Sequence, residues 1–266
     1  MSGRAWFAAL TSNAVTGGSS TVLSADARLG DELARFIAVV PDANNRFPRA
    51  RQGEVGLDEG WILAREVREV LRADAGRIAR PLVAIVDVTS QAYGRSEEML
   101  GIHLACAAAA DAYASARWAG HPVIALLVGK AMSGAFLAHG YQANRILAVD
   151  SPEVLIQAMG KQAAARVTRR SVEELEKLGE RIPPMAYDVR SFAALGLLHR
   201  LIEGVRIDAP TPADIDRVRG ELLDAVRDVR KGGRDLTHRL SGEAAGKARA
   251  ASIEVRRRLA EQWDVD

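Results

Sequence analysis

The chain has 266 residues, of which 48% are apolar and 26% are charged, proportions typical of a folded protein of one or two domains rather than of a disordered chain. Its 36 basic and 34 acidic side chains leave a formal net charge of +2, which argues against nucleic acid or a membrane as the main partner. The single cysteine, Cys106, excludes an intrachain disulfide framework and predicts a reducing, cytoplasmic location.

Residues 35–150 alternate between apolar runs and amphipathic stretches, which is the pattern of α/β proteins. Short β-branched runs predict buried strands at residues 35–40, 81–87, 123–128 and 145–149. Helical spacing of apolar side chains predicts helices at residues 57–71 and 97–117, and residues 129–136 predict a tight turn that enters a further helix. The longest apolar run, at residues 123–128, is too short to cross a bilayer.

Beyond Ser151 the sequence predicts helices. They are expected at residues 152–167, 171–178, 212–230 and 243–263. The second of them begins with a capping-box pattern at Ser171, and Pro183-Pro184 forces a break after it. We therefore expect two parts, an α/β domain at residues 1–170 and a helical region at residues 171–266 that packs on the core or on a partner subunit.

Two loops that follow neighbouring strands carry the residues expected to do chemistry. In the first, a buried strand leads into a turn of small residues, where the backbone amides of Ser133, Gly134 and Ala135 could hold an oxyanion, since Gly134 has no Cβ to keep a ligand away. In the second, the segment after the strand at 81–87 places another set of amides around Gln91. Loops at adjacent strand ends commonly form the ligand crevice of an α/β sheet.

Several motifs in these loops resemble the C-terminal half of acyl-CoA carboxyltransferases, in the crotonase-like superfamily. The residues that keep this family's register are Asp87, Gly94, Glu98, Gly101, Ile102, Ala107, the segment Lys130-Ala-Met-Ser-Gly-Ala-Phe136, Pro152 and Met159-Gly160. The chain departs from the family where Thr89-Ser90-Gln91 replaces Pro-Gly-Phe and Ser133 replaces a glycine. Together with the blocks at residues 3–7 and 45–61, these departures resemble the gamma-subunit family of biotin-independent malonate decarboxylases.

This resemblance implies a fold, a reaction and partners. The fold would be a crotonase-like core of repeated ββα units with a helical C-terminal appendage. A gamma subunit pairs with a homologous beta subunit, and the pair decarboxylates a malonyl thioester that is carried on the CoA-like prosthetic group of an acyl carrier protein. An alpha subunit acts as the acyl-carrier transferase. No metal and no cofactor bound covalently to this chain are expected.

The resemblance also implies roles for individual residues. Gly134 and Ala135 would donate hydrogen bonds to the thioester enolate oxygen, with the Gln91 amide as a second source of donors. Ser133, Tyr93, Gly94 and His139 are the further residues expected to line the catalytic and substrate-binding crevice. Cys106 and His103 lie one turn apart and invite a catalytic dyad, but a packing role for Cys106 is favoured because it lies within an alanine-rich helix.

Three alternative functions remain open from the sequence. A biotin-dependent carboxyltransferase would use the same fold and the same enolate, although the chain lacks an Ala-Met-Lys-Met biotinylation motif. A hydratase or isomerase would need a carboxylate for proton transfer, and Glu153 is the candidate. If the chain is a non-catalytic scaffold for the beta subunit, this would explain why the segment Lys130–Phe136 lacks the family's usual pair of glycines.

Overall fold

The computed structural model describes residues 2–263, and within them eight strands form one mixed sheet. These are β1 (Gly17–Gly18), β2 (Val22–Leu29), β3 (Glu32–Val39), β4 (Leu82–Val88), β5 (Val123–Met132), β6 (Arg145–Val149), β7 (Ile156–Gln157) and β8 (Arg200–Ile202). The order across the sheet is β1-β2-β3-β4-β5-β6-β8, and β7 pairs with the end of β5. β1 to β3 are antiparallel, whereas β3 to β6 and β8 are parallel.

The helices of the described residues are α1 (Ser2–Thr11), α2 (Leu57–Ala73), α3 (Arg95–Met99), α4 (Ile102–Ala119), α5 (Ser133–Ala138), α6 (Lys161–Thr168), α7 (Val172–Arg181), α8 (Val189–Ala194), α9 (Pro212–Lys231), α10 (Glu243–Ala248) and α11 (Ala250–Trp263). Short 3-10 turns lie at Pro48–Ala50, Pro183–Met185 and Thr237–Leu240. The pair α2 and α4 and the pair α1 and α9 pack against the sheet. All of β4 and nearly all of β5 is buried, which explains their unbroken apolar runs.

Small side chains allow the close contact between α2 and α4. The buried face of α4 carries alanine at positions 105, 109, 112 and 116. Gly60 of α2 faces Ala105, and a Cβ at Gly60 would lie 2.7 Å from the Ala105 carbonyl carbon. The abundant alanine of this sequence therefore lets the two helices approach at backbone distance, which brings the start of α4 close to the loop that follows β4.

The predicted α/β architecture with a helical C-terminal region is confirmed, but three predicted helices are wrong in detail. The helix predicted at 97–117 is two helices, because Gly101 adopts a left-handed backbone with φ of 85° and separates α3 from α4. Met99, at the end of α3, is exposed. The helix predicted at 243–263 is likewise interrupted at Arg249, between α10 and α11.

The largest error concerns residues 152–167. A helix begins only at Lys161, and the preceding residues form a turn and the short strand β7. Ile156 pairs with Ala131 at the end of β5, beyond the residues of β5 that pair with β6, and this pairing overrides the helical spacing of the segment. The pairing matters for the site because it fixes the chain beside the turn between β5 and α5.

The sequence patterns do not predict α1, β2 or β8. The C-terminal region is mainly helical, yet it also supplies β8, which pairs in parallel with β6 and joins the sheet. α9 contacts β2, β5 and β6, so residues beyond 170 pack directly on the core. The division of the chain at residue 170 remains a prediction.

Candidate active site

The two loops expected to form a crevice do meet. β4 and β5 are adjacent and parallel, so the loop after β4 and the turn after β5 lie at the same edge of the sheet. The Gly134 amide donates a hydrogen bond to Oε1 of Gln91, with an N–O distance of 2.9 Å. The structure therefore brings together Gln91, Ser133 and Gly134, and the contact involves the Gln91 side chain rather than its backbone amide.

The turn between β5 and α5 is strained at one residue. Ser133 has φ of 58°, in the left-handed region that residues with a Cβ rarely adopt. Its hydroxyl donates a hydrogen bond to the Ala158 carbonyl at 2.7 Å, which ties the turn to the segment after β7. This conformation explains in physical terms why a glycine suits the same position of the carboxyltransferase motif. It also makes the Gly134 amide point out of the turn toward Gln91.

Replacements of Ser133 should separate the backbone strain from the hydroxyl contact. Ser133→Ala loses the hydrogen bond and keeps the strain, whereas Ser133→Gly loses the bond but relieves the strain. We expect the glycine variant to be more stable than the alanine variant by about 1 kcal/mol, the reverse of the usual order inside a helix. Urea unfolding of both variants measures this difference, and an alanine variant at least as stable as the glycine variant would contradict the strain assignment.

The Gln91 loop is held from behind by a second segment. Val55 lies beside Gln91 in a parallel bridge, in which the Val55 amide donates to the Ser90 carbonyl at 3.1 Å and the Ala92 amide donates to the Val55 carbonyl at 2.8 Å. The residue after Val55 is Gly56, and its amide donates a hydrogen bond to the side chain of Glu59. Glu59 lies at the start of α2 and is completely buried. The position of Gln91 therefore depends on a segment more than thirty residues earlier in the chain.

Two cavities adjoin Gly134, one on each side of the start of α5. The first has a volume of about 280 Å³ and lies toward β7 and α8. The second has a volume of about 330 Å³ and lies toward α3 and α4. Gly134 and Leu137 line both cavities. Gly134 therefore lies on the border between the two cavities.

Two residues predicted to bind substrate lie outside the lining of these cavities. Tyr93 is 54% exposed on the surface of the loop after β4. Gly94 is closely approached by other side chains, because a Cβ there would lie 2.5 Å from both Arg49 Nε and Glu97 Oε2. The absence of a side chain at Gly94 serves this local packing, and a substrate contact at either residue remains a prediction.

The prediction that His139 binds substrate is not supported. His139 is completely buried, and both ring nitrogens are within 3.0 Å of protein partners, the Tyr113 hydroxyl and the Ile85 carbonyl. Burial lowers the pKa of His139 to about 4, so the ring is neutral near pH 7. Nε2 therefore donates to the carbonyl and Nδ1 accepts from Tyr113. His139 braces α5 against β4 and α4 instead of facing the crevice.

This burial predicts a pH dependence of stability. The pKa of His139 is about 4 in the folded chain and about 6.5 in the unfolded chain, so its contribution is present above pH 6.5 and is lost as the pH falls toward 4. His139→Gln should have a lower free energy of unfolding than wild type at pH 7.5. The difference between the two proteins should be smaller by about 2 kcal/mol at pH 5. Denaturant unfolding of both proteins at the two pH values measures this difference, and the contributions of the other histidines cancel in it. A difference that does not change with pH would contradict the assignment.

Other candidate nucleophiles and acids have little support from the geometry. Burial, reinforced by the nearby Glu98, raises the pKa of the Cys106 thiol to about 11, so it is protonated at neutral pH. Glu153 lies exposed on the turn after β6 and lines neither cavity beside Gly134. Among residues 2–263, no three His, Cys, Asp or Glu side chains are arranged to hold a metal ion. Within the same range, no helix has the length and apolarity needed to cross a membrane.

Sequence reasoning missed the residues that close the first cavity. Phe192, Leu197 and Arg249 belong to the C-terminal region, more than fifty residues beyond the turn between β5 and α5, and they reach it only in the folded chain. Leu137 was also missed, although it lies one helical turn after Gly134. Its position directly after the motif was a usable signal, whereas nothing in the local sequence of the other three residues pointed to the crevice.

This mixed sheet flanked by helices, with the loops after β4 and β5 meeting at Gly134, has the fold of carboxyltransferase-like domains of the crotonase-like class. The structure of the transcarboxylase 12S subunit shares this fold, with a TM-score of 0.60 and 22% identity over 81% of this chain and 36% of that chain. Within this class, the chain belongs to the malonate decarboxylase gamma-subunit family, whose model matches residues 50–263.

Full-length and partial relatives agree with this assignment. A Pseudomonas malonate decarboxylase hetero-tetramer in complex with coenzyme A contains a chain with 57% identity and a TM-score of 0.93, which covers 98% of this chain and 99% of that chain. The MdcD-MdcE hetero-dimer of a Pseudomonas malonate decarboxylase contains a chain with 56% identity and a TM-score of 0.89 over the same shares. A curated relative from Malonomonas rubra, malonyl-S-ACP:biotin-protein carboxyltransferase MADD, is 35% identical over 77% of this chain and 68% of its own length.

Proposed function

We propose that this chain, together with a homologous beta subunit, decarboxylates malonyl-S-acyl carrier protein to acetyl-S-acyl carrier protein without biotin, and that its Gly134 amide binds the thioester oxygen. The observation that carries the proposal is the hydrogen bond from Gly134 to Gln91 Oε1, on the border of two cavities. Oε1 of Gln91 is a neutral acyl oxygen that accepts from the Gly134 amide, as a thioester oxygen would in the proposed complex. Membership of the gamma-subunit family supports the same reaction.

The reaction requires the site to stabilise an enolate. When the bond between C2 and the carboxylate carbon breaks, CO2 leaves and the electron pair forms a double bond between C2 and the thioester carbon, while negative charge moves to the thioester oxygen. C2 then takes a proton, which gives the acetyl thioester. The amides of Gly134 and Ala135 would donate hydrogen bonds to this oxygen, and one such donor is typically worth about 3 kcal/mol of barrier.

The side chain of Gln91 would compete with the substrate oxygen for the hydrogen bond from the Gly134 amide. Its Oε1 must leave the Gly134 amide before a substrate oxygen can bind there. Hydrogen bonds to charged acceptors are stronger than those to neutral ones, so the enolate oxygen displaces Gln91 more favourably than the ground-state thioester does. The cost of displacement therefore falls as the reaction proceeds, which is the differential binding that accelerates a reaction.

The partners and location follow from the same proposal. The substrate would be carried on the CoA-like arm of an acyl carrier protein, loaded by an alpha subunit with transferase activity. The beta subunit would complete the site, since both cavities beside Gly134 are open at the surface of this chain. A cytoplasmic location is consistent with the partly buried free thiol of Cys106.

Reconstitution tests the proposed function. CO2 release from malonyl-loaded carrier protein would be measured with this chain, with the beta subunit and with both together, in the absence of biotin. We expect turnover only in the mixture. A mixture that forms the complex but releases no CO2 would contradict the proposal.

The similarity to MADD, a biotin-protein carboxyltransferase, favours one second candidate. In that case the carboxyl group would pass to biotin on another chain instead of leaving as CO2. Adding a biotinylated carrier to the reconstituted complex separates the two functions. Decarboxylation that is unaffected by biotin and by avidin supports the first, whereas turnover that depends on the biotinylated carrier supports the second.

A further inference from the structure

The cavity between Gly134 and α8 is lined mainly by apolar side chains, with the polar side chains of Ser133, Tyr141 and Gln157 among them. Its lining includes Phe136, Leu137, Ile156, Phe192 and Leu197. Arg249, which lies between α10 and α11, is the charged side chain in this lining. A cation that borders an apolar cavity attracts an anion more strongly than a cation in open water does, because the surrounding dielectric is lower.

Arg249 is held in place but has no anionic partner in the described part of the chain. Its Nε donates a hydrogen bond to the Leu195 carbonyl at the end of α8, at 2.6 Å. No carboxylate of residues 2–263 lies within ion-pair distance of its guanidinium. Many arginines of this chain are paired with acids, including its neighbours on α11, Arg257 and Arg258. The fixed Nε leaves the two terminal nitrogens as the free donors.

The substrate class of the proposed function supplies the missing anion. A malonyl thioester carries a carboxylate on the carbon next to its thioester group, and a carboxylate in an apolar cavity is costly unless it is paired. We propose that Arg249 binds the carboxylate of the malonyl group while Gly134 binds the thioester oxygen, and that Arg249 is the residue that distinguishes malonyl from acetyl thioesters. This inference rests on the proposed function.

The same arrangement accounts for product release. The carboxylate leaves as neutral CO2, so the contact with Arg249 is lost when the bond to C2 breaks. The acetyl product retains the thioester oxygen but has no group for the guanidinium. Because the interaction weakens as charge moves away from the carboxylate, Arg249 stabilises the bound substrate more than the transition state, and its removal should raise KM without lowering kcat.

The test uses the complex of this chain with the beta subunit and compares two thioesters. Arg249→Met keeps the length of the side chain without its charge, Arg249→Lys keeps the charge without the planar fork, and Arg256→Met is a matched control on α11 that does not line the cavity. KM would be measured with malonyl-loaded carrier protein, and the inhibition constant with acetyl-loaded carrier protein. The acetyl-loaded form has the same phosphate-bearing arm, so it distinguishes carboxylate recognition from recognition of that phosphate.

We expect Arg249→Met to raise KM for the malonyl carrier at least tenfold and to change the inhibition constant of the acetyl carrier less than twofold. Arg249→Lys should fall between wild type and Arg249→Met, and Arg256→Met should behave as wild type. An unchanged KM in Arg249→Met would overturn the inference. A parallel rise in KM and in the inhibition constant would also overturn it, since a structural or phosphate-binding role predicts that result. In both cases turnover by the wild-type complex still upholds the proposed function. A wild-type complex without turnover would remove the proposed function and this inference together.

Discussion

Gly134→Val should reduce the rate of CO2 release from the reconstituted complex by about 10²-fold to 10³-fold, the range typical for loss of an oxyanion donor. A Cβ at Gly134 would lie 3.2 Å from Gln91 Oε1 and 3.3 Å from its Cδ, in the space that we propose for the thioester oxygen. Gly134 does not have a positive φ, so its backbone accepts a branched residue. Gln91 can move to make room, and we therefore expect the variant to fold and to bind the beta subunit.

Gly220→Val is the matched control for this experiment. Gly220 lies within α9, and a Cβ there would meet no atom within 4 Å. Turnover and complex formation, the latter by size-exclusion chromatography, would be measured for both variants. If the Gly134 variant assembled normally and kept full turnover, the oxyanion assignment would be wrong and this chain would act as a scaffold for a site in the beta subunit.

Glu59→Ala should lower the free energy of unfolding by about 3–5 kcal/mol, because it leaves several buried donors without an acceptor. Glu59 is completely buried. Its Oε1 accepts hydrogen bonds from the Thr21 hydroxyl at 2.7 Å and from Asn45 Nδ2 at 2.9 Å, and its Oε2 accepts from the Gly56 amide at 3.0 Å. These bonds hold the segment that flanks the Gln91 loop.

The control for Glu59 is the preceding acid, Asp58, whose partner is the exposed side chain of Arg46. Asp58→Ala should change the free energy of unfolding far less than Glu59→Ala does. Urea unfolding of both variants measures the difference. Equal and small effects would mean that the buried carboxylate does not hold this segment, and that the position of Gln91 is set elsewhere.

Local sequence was sufficient where one period dominates a segment. The apolar runs of β3 to β6 and the spacing of α2 predict the elements correctly, because burial on both faces of a strand and on one face of a helix leaves a direct pattern. The turn at Ser133 and Gly134 was also predictable, since the motif follows a buried strand. The structure adds the left-handed conformation of Ser133, which residue identity alone does not reveal.

The rest depended on contacts between distant segments. Ile156 joins β5 as a strand because the end of β5 extends beyond its pairing with β6, and no local pattern encodes that available stretch. His139 follows the turn between β5 and α5 closely, yet its side chain is directed into the core toward Tyr113 and Ile85. The role of the Gln91 side chain was missed because the loop pattern indicates where backbone amides lie, but not which side chain accepts a hydrogen bond from them.

The most direct test of the oxyanion assignment is a crystal structure of the complex of this chain with the beta subunit, bound to a malonyl thioester analogue that cannot lose CO2. We predict that the thioester oxygen lies within hydrogen-bond distance of the Gly134 nitrogen, in the place that Gln91 Oε1 now occupies at 2.9 Å, and that the Gln91 side chain has rotated away. A bound analogue whose oxygen lies elsewhere, with the bond between Gly134 and Gln91 intact, would contradict the assignment.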